Sequence, residues 1–240
     1  MIRKTLLKLA FRNGYFGDQF CTLHNYNFIT EKNFQNSYEY SSLTTKLQPN
    51  IHYRVHQLIW AAQNSLKLKG NFVELGVGKG FSMLAVLNYI KWNRFDKKLY
   101  LFDSFSPFKV NEYGKKTSKK SIYYANSFEN TKKNFSKFKN IHFVQGDIFQ
   151  TLIKYKSYKI SFLHVDLNYA EVEVYSLELL WNSIVKGGII ILDDYCYINR
   201  HRQYKKINSL AKKLNFNILS TPSGQGIIVK RCSLCKKEVR

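Results

Sequence analysis

Three glycines at alternate positions follow a carboxylate in Glu74-Leu75-Gly76-Val77-Gly78-Lys79-Gly80. Glycines in a turn between an apolar strand and a helix start let the backbone pass close to a ligand, with free N–H groups facing it. Two further acids extend the pattern. Asp103 ends the apolar run Leu99-Tyr100-Leu101-Phe102, placed to accept hydrogen bonds from ribose hydroxyls, and Asp147 in Gly146-Asp147-Ile148 is placed to meet an adenine amino group. Glu74 would repel a pyrophosphate but would welcome a cationic sulfonium carrying an amino-acid tail. The spacing is also not the G-x-G-x-x-G of a dinucleotide site, which argues against an NAD-dependent oxidoreductase.

A second group of acids suggests what such a ligand would react with. Leu163-His164-Val165-Asp166 and Ile191-Leu192-Asp193-Asp194 each end a strand candidate in carboxylates. Neighbouring strands lie about 4.8 Å apart, so these groups converge on the ligand side of a sheet. Crowded carboxylates need a cation or protons between them, and an all-oxygen donor set suits Mg2+. A bound divalent ion would lower the pKa of a hydroxyl acceptor and orient it for attack. On this reading Asp166 is metal ligand and base, with Asp193 and Asp194 completing the cage; the alternative is that these acids cap helices and loops. His164 is a candidate base or a group that orients an acid, and His201 and Gln203 could line the acceptor pocket.

The order of elements supports this placement. Strand candidates Phe72–Leu75, Leu99–Phe102, Ile141–Val144, Ile160–Val165 and Ile189–Leu192 alternate with helix candidates near Phe81–Tyr89, Ser127–Phe138, Asp147–Tyr155 and Glu171–Ile184. Alternation of this kind predicts an α/β fold, a mostly parallel sheet with helices on both faces. Before it, Val55, Leu58, Ile59, Ala62 and Leu66 mark a helix over His52–Leu66. After it come a helix over Tyr204–Leu214 and strands Asn217–Ser220 and Ile227–Lys230, which read as an antiparallel hairpin at the sheet edge. Gly187-Gly188 reads as a turn before the fifth strand, Lys109–Lys120 as a loop or lid, and Trp60 and Trp181 as core by their helical spacing.

From residue 52 to residue 230 these motifs resemble the class I S-adenosylmethionine-dependent methyltransferases. The resemblance implies a Rossmann-like, seven-stranded fold. It also implies that Glu74, Gly76, Gly78 and Gly80 hold the methionine part, with Ser82 at the helix start. Asp103, followed by Ser104 and Phe105, would hold the ribose, and Asp147 with Ile148 would flank the adenine. Phe102-Asp103-Ser104-Phe105, His164-Val165-Asp166 and Gly187-Gly188 followed by Asp193-Asp194-Tyr195 are similar to the macrocin-type sugar O-methyltransferases. That family implies Mg2+ and a sugar hydroxyl as acceptor. Asn168 departs from it, standing where the family has an acid, and Pro222-Ser223-Gly224-Gln225-Gly226 suggests a sister branch.

With 240 residues, 45% of them hydrophobic and 16% aromatic, the chain is long and apolar enough for one large folded domain. The expected division is a leader or cap over 1–50, the methyltransferase domain over 51–231 and a tail over 232–240. No apolar run reaches the roughly 18 residues of a bilayer span. The start, Met1–Ala10, reads as an amphipathic helix, and a cytoplasmic protein is expected. Of four cysteines only Cys232 and Cys235 are close, and no second pair or histidines follow to complete a zinc site. A net charge of +22, dense in lysine between Lys109 and Lys139, would attract anionic partners. Expected partners are a small-molecule or sugar acceptor, which could be anionic, and a second copy of the chain. The rival readings are a methyltransferase acting on RNA or protein and a basic nucleic-acid-binding module, though no nucleic-acid motif supports the latter.

Overall fold

The computed structural model describes residues 14–24, 26–106, 108–110, 116–120 and 128–231. The expected first helix and the Cys232–Cys235 pair lie outside those residues. Its centre is a seven-stranded sheet in the order β10-β11-β9-β8-β3-β4-β7. These strands are β3 (Asn71–Leu75), β4 (Leu99–Asp103), β7 (Ile141–Gln145), β8 (Ile160–Val165), β9 (Ile184–Leu192), β10 (Leu219–Ser220) and β11 (Gly226–Val229). The five strands from β7 to β9 run parallel, and β11 and β10 close the edge antiparallel. β3 pairs with β4 on one side and β8 on the other, so the chain reverses its direction of winding there. Ligands of open α/β sheets bind outside the carboxyl ends of the strands at such a point.

Strand parity sets which side chains meet. Phe72, Phe162, Ile189 and Ile191 face one layer, built on α2 (His52–Ser65) and α3 (Phe81–Tyr89). Val73, Leu75, Leu163, Val165, Ile190 and Leu192 face the other, on α6 (Ala170–Leu180) and α7 (His201–Leu214). Successive residues of a strand alternate faces, so Glu74, His164 and Asp193 share the side of Phe72, Phe162 and Ile191. That side is the α2 side, and the opposite parity would have buried these charges against α6.

Several elements depart from expectation. The helix Glu171–Ile184 stops at Leu180; Trp181–Ser183 form a 3-10 turn and Ile184 already begins β9. Gly187 and Gly188 therefore lie within β9 rather than in a turn before it. Gly187, at φ +78°, marks an irregularity where five residues of β9 pass two of β8. Within 109–120, β5 (Phe108–Val110) and β6 (Lys116–Lys120) pair as an antiparallel ribbon. Trp60 is 43% exposed, not core.

The leader contains a hairpin, β1 (Tyr15–Gly17) with β2 (Phe20–Thr22), and a helix, α1 (Lys32–Thr45). α1 buries Phe34, Ser37, Ser41 and Thr45 and packs on α3. Its inward face is mostly hydroxyl-bearing, which is why an apolar period does not reveal it. Ser37 and Thr45 bond back to carbonyls four residues earlier, and Ser41 Oγ reaches the Phe81 carbonyl at 2.5 Å. Small residues satisfied in this way let the two helices approach closely.

Candidate active site

β3 delivers its chain into the glycine turn, and the turn is held from two sides. Gly76, Gly78 and Gly80 all have positive φ, at 87°, 54° and 86°. At Gly76 a Cβ would stand 1.9 Å from the Asp166 carbonyl oxygen; at Gly80 it would stand 2.3 Å from the Phe135 ring. The two outer glycines are thus required by protein neighbours, and Asp166 abuts the turn directly. Asp103 closes the turn from β4: its Oδ2 accepts from the N–H groups of Val77 and Gly78, each at 2.8 Å, and its Oδ1 accepts from Phe105 N at 2.7 Å. The residue expected to meet a ribose also organises the glycine backbone, and one of its roughly four lone-pair sites is left over.

Other predicted positions lie around the same rim. Ser82 is half-buried in the first turn of α3, and Ser104 is exposed, its Oγ accepting from Ser106 N at 3.3 Å. Phe105 is buried at φ +49° and packs on Phe128, the first residue of α4 (Phe128–Asn134). Asp147 caps α5 (Ile148–Thr151) by accepting from Phe149 N at 2.9 Å, and Ile148 is buried beneath it.

Glu74 lies below this rim, 2% exposed, with Oε1 2.9 Å from His164 Nδ1. Its Oε2 is buried without a hydrogen-bond partner. Burial raises the Glu74 carboxyl, against the opposing pull of His164. On its other side His164 Nε2 faces Asp193 Oδ1 at 3.5 Å. Burial alone would lower the imidazole, but carboxylates on both nitrogens raise it to about 10. Carboxylates on both sides favour the imidazolium, which has no lone pair with which to deprotonate an acceptor, so the arrangement suits an orienting role.

Asp193 and Asp194 share a cation that comes from elsewhere in the chain. Arg54, in the first turn of α2, donates from Nη1 to Asp193 Oδ2 at 2.5 Å, to the Asp193 carbonyl at 3.0 Å and to Asp194 Oδ1 at 3.3 Å. Its Nε donates to Asp18 Oδ2 at 2.6 Å. Arg200 Nη2 lies 3.2 Å from Asp194 Oδ2 and also bonds Asn168, while Gln225 Nε2 donates to Asp193 Oδ1 at 2.6 Å. Burial raises the carboxyl of Asp194, with Asp193 adding to it. Burial would raise Asp193 too, but the Arg54 and His164 charges hold it well below the ordinary range.

Asp166 differs from both. Among the described residues no arginine forms an ion pair with it, and its Oδ1 accepts from Asn168 Nδ2 at 3.1 Å. Burial, then Asp193 and Asp194, raise its carboxyl well above the usual value. The loop that carries it is pinned by buried Glu173, whose Oε1 accepts from Leu167 N at 3.2 Å. Beyond the acid pair a cavity of about 280 Å3 opens, lined by Tyr195, Tyr197, Arg200, His201 and Tyr204. Gln203 is buried against Glu173 rather than in that cavity.

Arg54, Asp18, Arg200, Gln225 and Glu173 were not singled out from the sequence. The one available signal was Arg54 beside a buried helical stripe, one turn before Leu58.

The donor set tests the expected Mg2+ cage. Each oxygen of Asp193 and Asp194 already lies against a guanidinium, an amide or an imidazole ring. Among the described residues no group of three or more histidine, cysteine, aspartate or glutamate side chains is arranged to hold a metal. The acids converge, but as they stand they do not fit a divalent ion.

The sequence profile of the macrocin O-methyltransferase (TylF) family matches residues 52–219. The chain belongs to that family. The methyltransferase therefore works with S-adenosylmethionine, and the buried Glu74 oxygen that lacks a hydrogen-bond partner fits a cationic cofactor; the N–H groups of Gly76, Val77, Gly78 and Gly80 are instead satisfied within the protein. Among solved structures it is similar to the O-methyltransferase NovP, with 18% identity over 75% of this chain and 80% of that one and a TM-score of 0.63. It is also similar to the calicheamicin methyltransferase CalS11, with 17% identity over 90% and 97% and a TM-score of 0.58. For the S-adenosylhomocysteine-bound methyltransferase PaMTH1 of Podospora anserina the identity is 13% over 96% of both chains, at a TM-score of 0.55. At these identities the likeness is one of fold. A search of curated proteins finds no match. Among the described residues no helix is long and apolar enough to cross a membrane.

Proposed function

We propose that this methyltransferase transfers a methyl group to a hydroxyl of a sugar or glycosylated small molecule, with Asp166 accepting the hydroxyl proton. The observation that carries this reading is the position of Asp166 in the chain path: its N–H donates to the Leu75 carbonyl and its own carbonyl lies against Gly76, so the residue leaves β8 directly beside the glycine turn. A methyl donor seated on the glycine turn would lie beside the segment that carries Asp166, the acid that has no arginine ion pair among the described residues. When bound, S-adenosylmethionine supplies an electrophilic methyl on a sulfonium. Glu74, Gly76, Gly78 and Gly80 would hold its amino-acid end, with Ser82 beside them at the start of α3. Asp103, with Ser104 and Phe105, would hold the ribose through its remaining acceptor site, and Asp147 and Ile148 would border the adenine. Burial, with Asp193 and Asp194 beside it, raises the proton affinity of Asp166, the direction that favours a general base over a spectator carboxylate.

The cavity at Tyr195–Tyr204 would take the acceptor. Its tyrosines offer faces for the C–H surface of a sugar ring, and Arg200 and His201 favour an anionic substituent. CalS11, similar in fold, is a TDP-rhamnose 3'-O-methyltransferase, which supports a sugar acceptor here. The Mg2+ implied by the family resemblance would have to be held by Asp166, Asp193 and Asp194. Two of these, Asp193 and Asp194, are already engaged by Arg54, Arg200 and Gln225. His164 serves as a positioning residue. The test is methyl incorporation from labelled S-adenosylmethionine into a panel of free and nucleotide-linked sugars, read by mass; failure with every sugar alongside methylation of RNA or protein would overturn the acceptor class.

A further inference from the structure

The acid cluster contains its own cation. Arg54 Nη1 stands within 2.5 and 3.3 Å of Asp193 Oδ2 and Asp194 Oδ1, which is where an ion shared by those two oxygens would sit. Mg2+ requires near-octahedral oxygen donors at about 2.0–2.1 Å, a demand that a guanidinium nitrogen between the same oxygens blocks. The arginine is not a loose surface side chain. Its side chain is 6% exposed, Asp18 grips its Nε at 2.6 Å, and the Tyr197 ring covers the guanidinium at 4.6 Å. Gln19 Nε2 donates to Tyr197 OH at 2.7 Å, so the β1–β2 hairpin fastens both the arginine and its cover. The remaining oxygens are taken by Arg200, Gln225 and His164. The three carboxylates Asp18, Asp193 and Asp194 thus face three cationic side chains, Arg54, Arg200 and His164.

We propose that Arg54, locked by Asp18, is the resident cation of this cluster and excludes a divalent ion from Asp193 and Asp194. The proposal rests on the methyl-transfer reading only for its consequence, turnover that is insensitive to chelation. Its test does not need activity. Mn2+ is titrated into the full-length protein, and free Mn2+ is followed by its electron paramagnetic resonance signal. The wild-type protein is expected to bind it weakly and without saturation. Arg54→Gln is expected to gain one saturable site, at least about tenfold tighter, and Arg54→Lys to behave as wild type. Saturable binding by the wild-type protein in the micromolar range overturns the proposal whatever the variants do. A folded Arg54→Gln that gains no affinity also overturns it. Should Arg54→Gln fail to fold, the wild-type and Arg54→Lys titrations decide. A lost methyl-transfer assay with this pattern intact would instead count against the acceptor reading alone.

Discussion

The glycine turn after β3 and the acid cluster after β8 and β9 stand side by side at one end of the sheet, yet they balance their polar groups by opposite means. The turn satisfies itself through one carboxylate, Asp103, which gathers three backbone N–H groups from residues 77, 78 and 105. The cluster satisfies itself through side chains drawn from four separate segments, at Asp18, Arg54, Arg200 and Gln225. Backbone donors are fixed once the turn forms, so the first region can be compact and local. Buried charges cannot be left unpaired, so the second must recruit counter-charges from wherever the fold brings them. The difference separates a turn satisfied by local groups from a cluster in which Asp166, with no arginine ion pair among the described residues, stands out from paired neighbours.

The sharpest way to break this contrast is to remove the open acid. Asp166→Asn is expected to lower turnover by about 10^2–10^4-fold while calorimetric affinity for S-adenosylmethionine stays within a few-fold; retained turnover would take the base role from Asp166. Next is the cluster's counter-ion. Arg54→Met leaves Asp18 and Asp193 facing each other and should cost about 3–5 kcal/mol in denaturant unfolding. A loss near zero would mean that the cluster is neutralised by protons instead. A smaller effect is expected at the turn, where Asp103→Asn weakens charge-assisted bonds worth roughly 1.5–3 kcal/mol each before compensation. Cofactor affinity should fall with stability there, whereas Arg54→Met should affect stability more than cofactor affinity.

The mildest probe is pH. The His164 imidazole rises from 6.5 to about 10 in the folded state, so its ion pairs stabilise fully below 6.5 and are lost as pH climbs through 10. The raised carboxyls of Glu74 and Asp166 bind protons more tightly folded than unfolded, which also favours the fold at lower pH. The thermal midpoint should therefore decline from pH 6.5 toward 10, and less steeply in His164→Gln. A midpoint that rises over this range would show that the ring is not held as an imidazolium.

The glycine turn, the parallel strands and the acids at their ends were legible from residue order because each depends on neighbours within a few positions. Glu74 to Gly80 is one contiguous stretch, the end of β3 and the turn after it, and the buried run Ile160–Val165 is the strand that leads into Asp166. The hydroxyl-faced helix α1 was not legible, because its buried side is made of serine and threonine and carries no apolar period. What occupies the space between Asp193 and Asp194 was decided by tertiary structure alone. The carboxylates imply some positive charge nearby, and a metal, a proton or an arginine all meet that need. Arg54 lies 139 residues from Asp193 and 36 from Asp18. An ion pair spanning such distances exists only once the sheet and α2 have packed, since no local rule of sequence fixes which charge arrives.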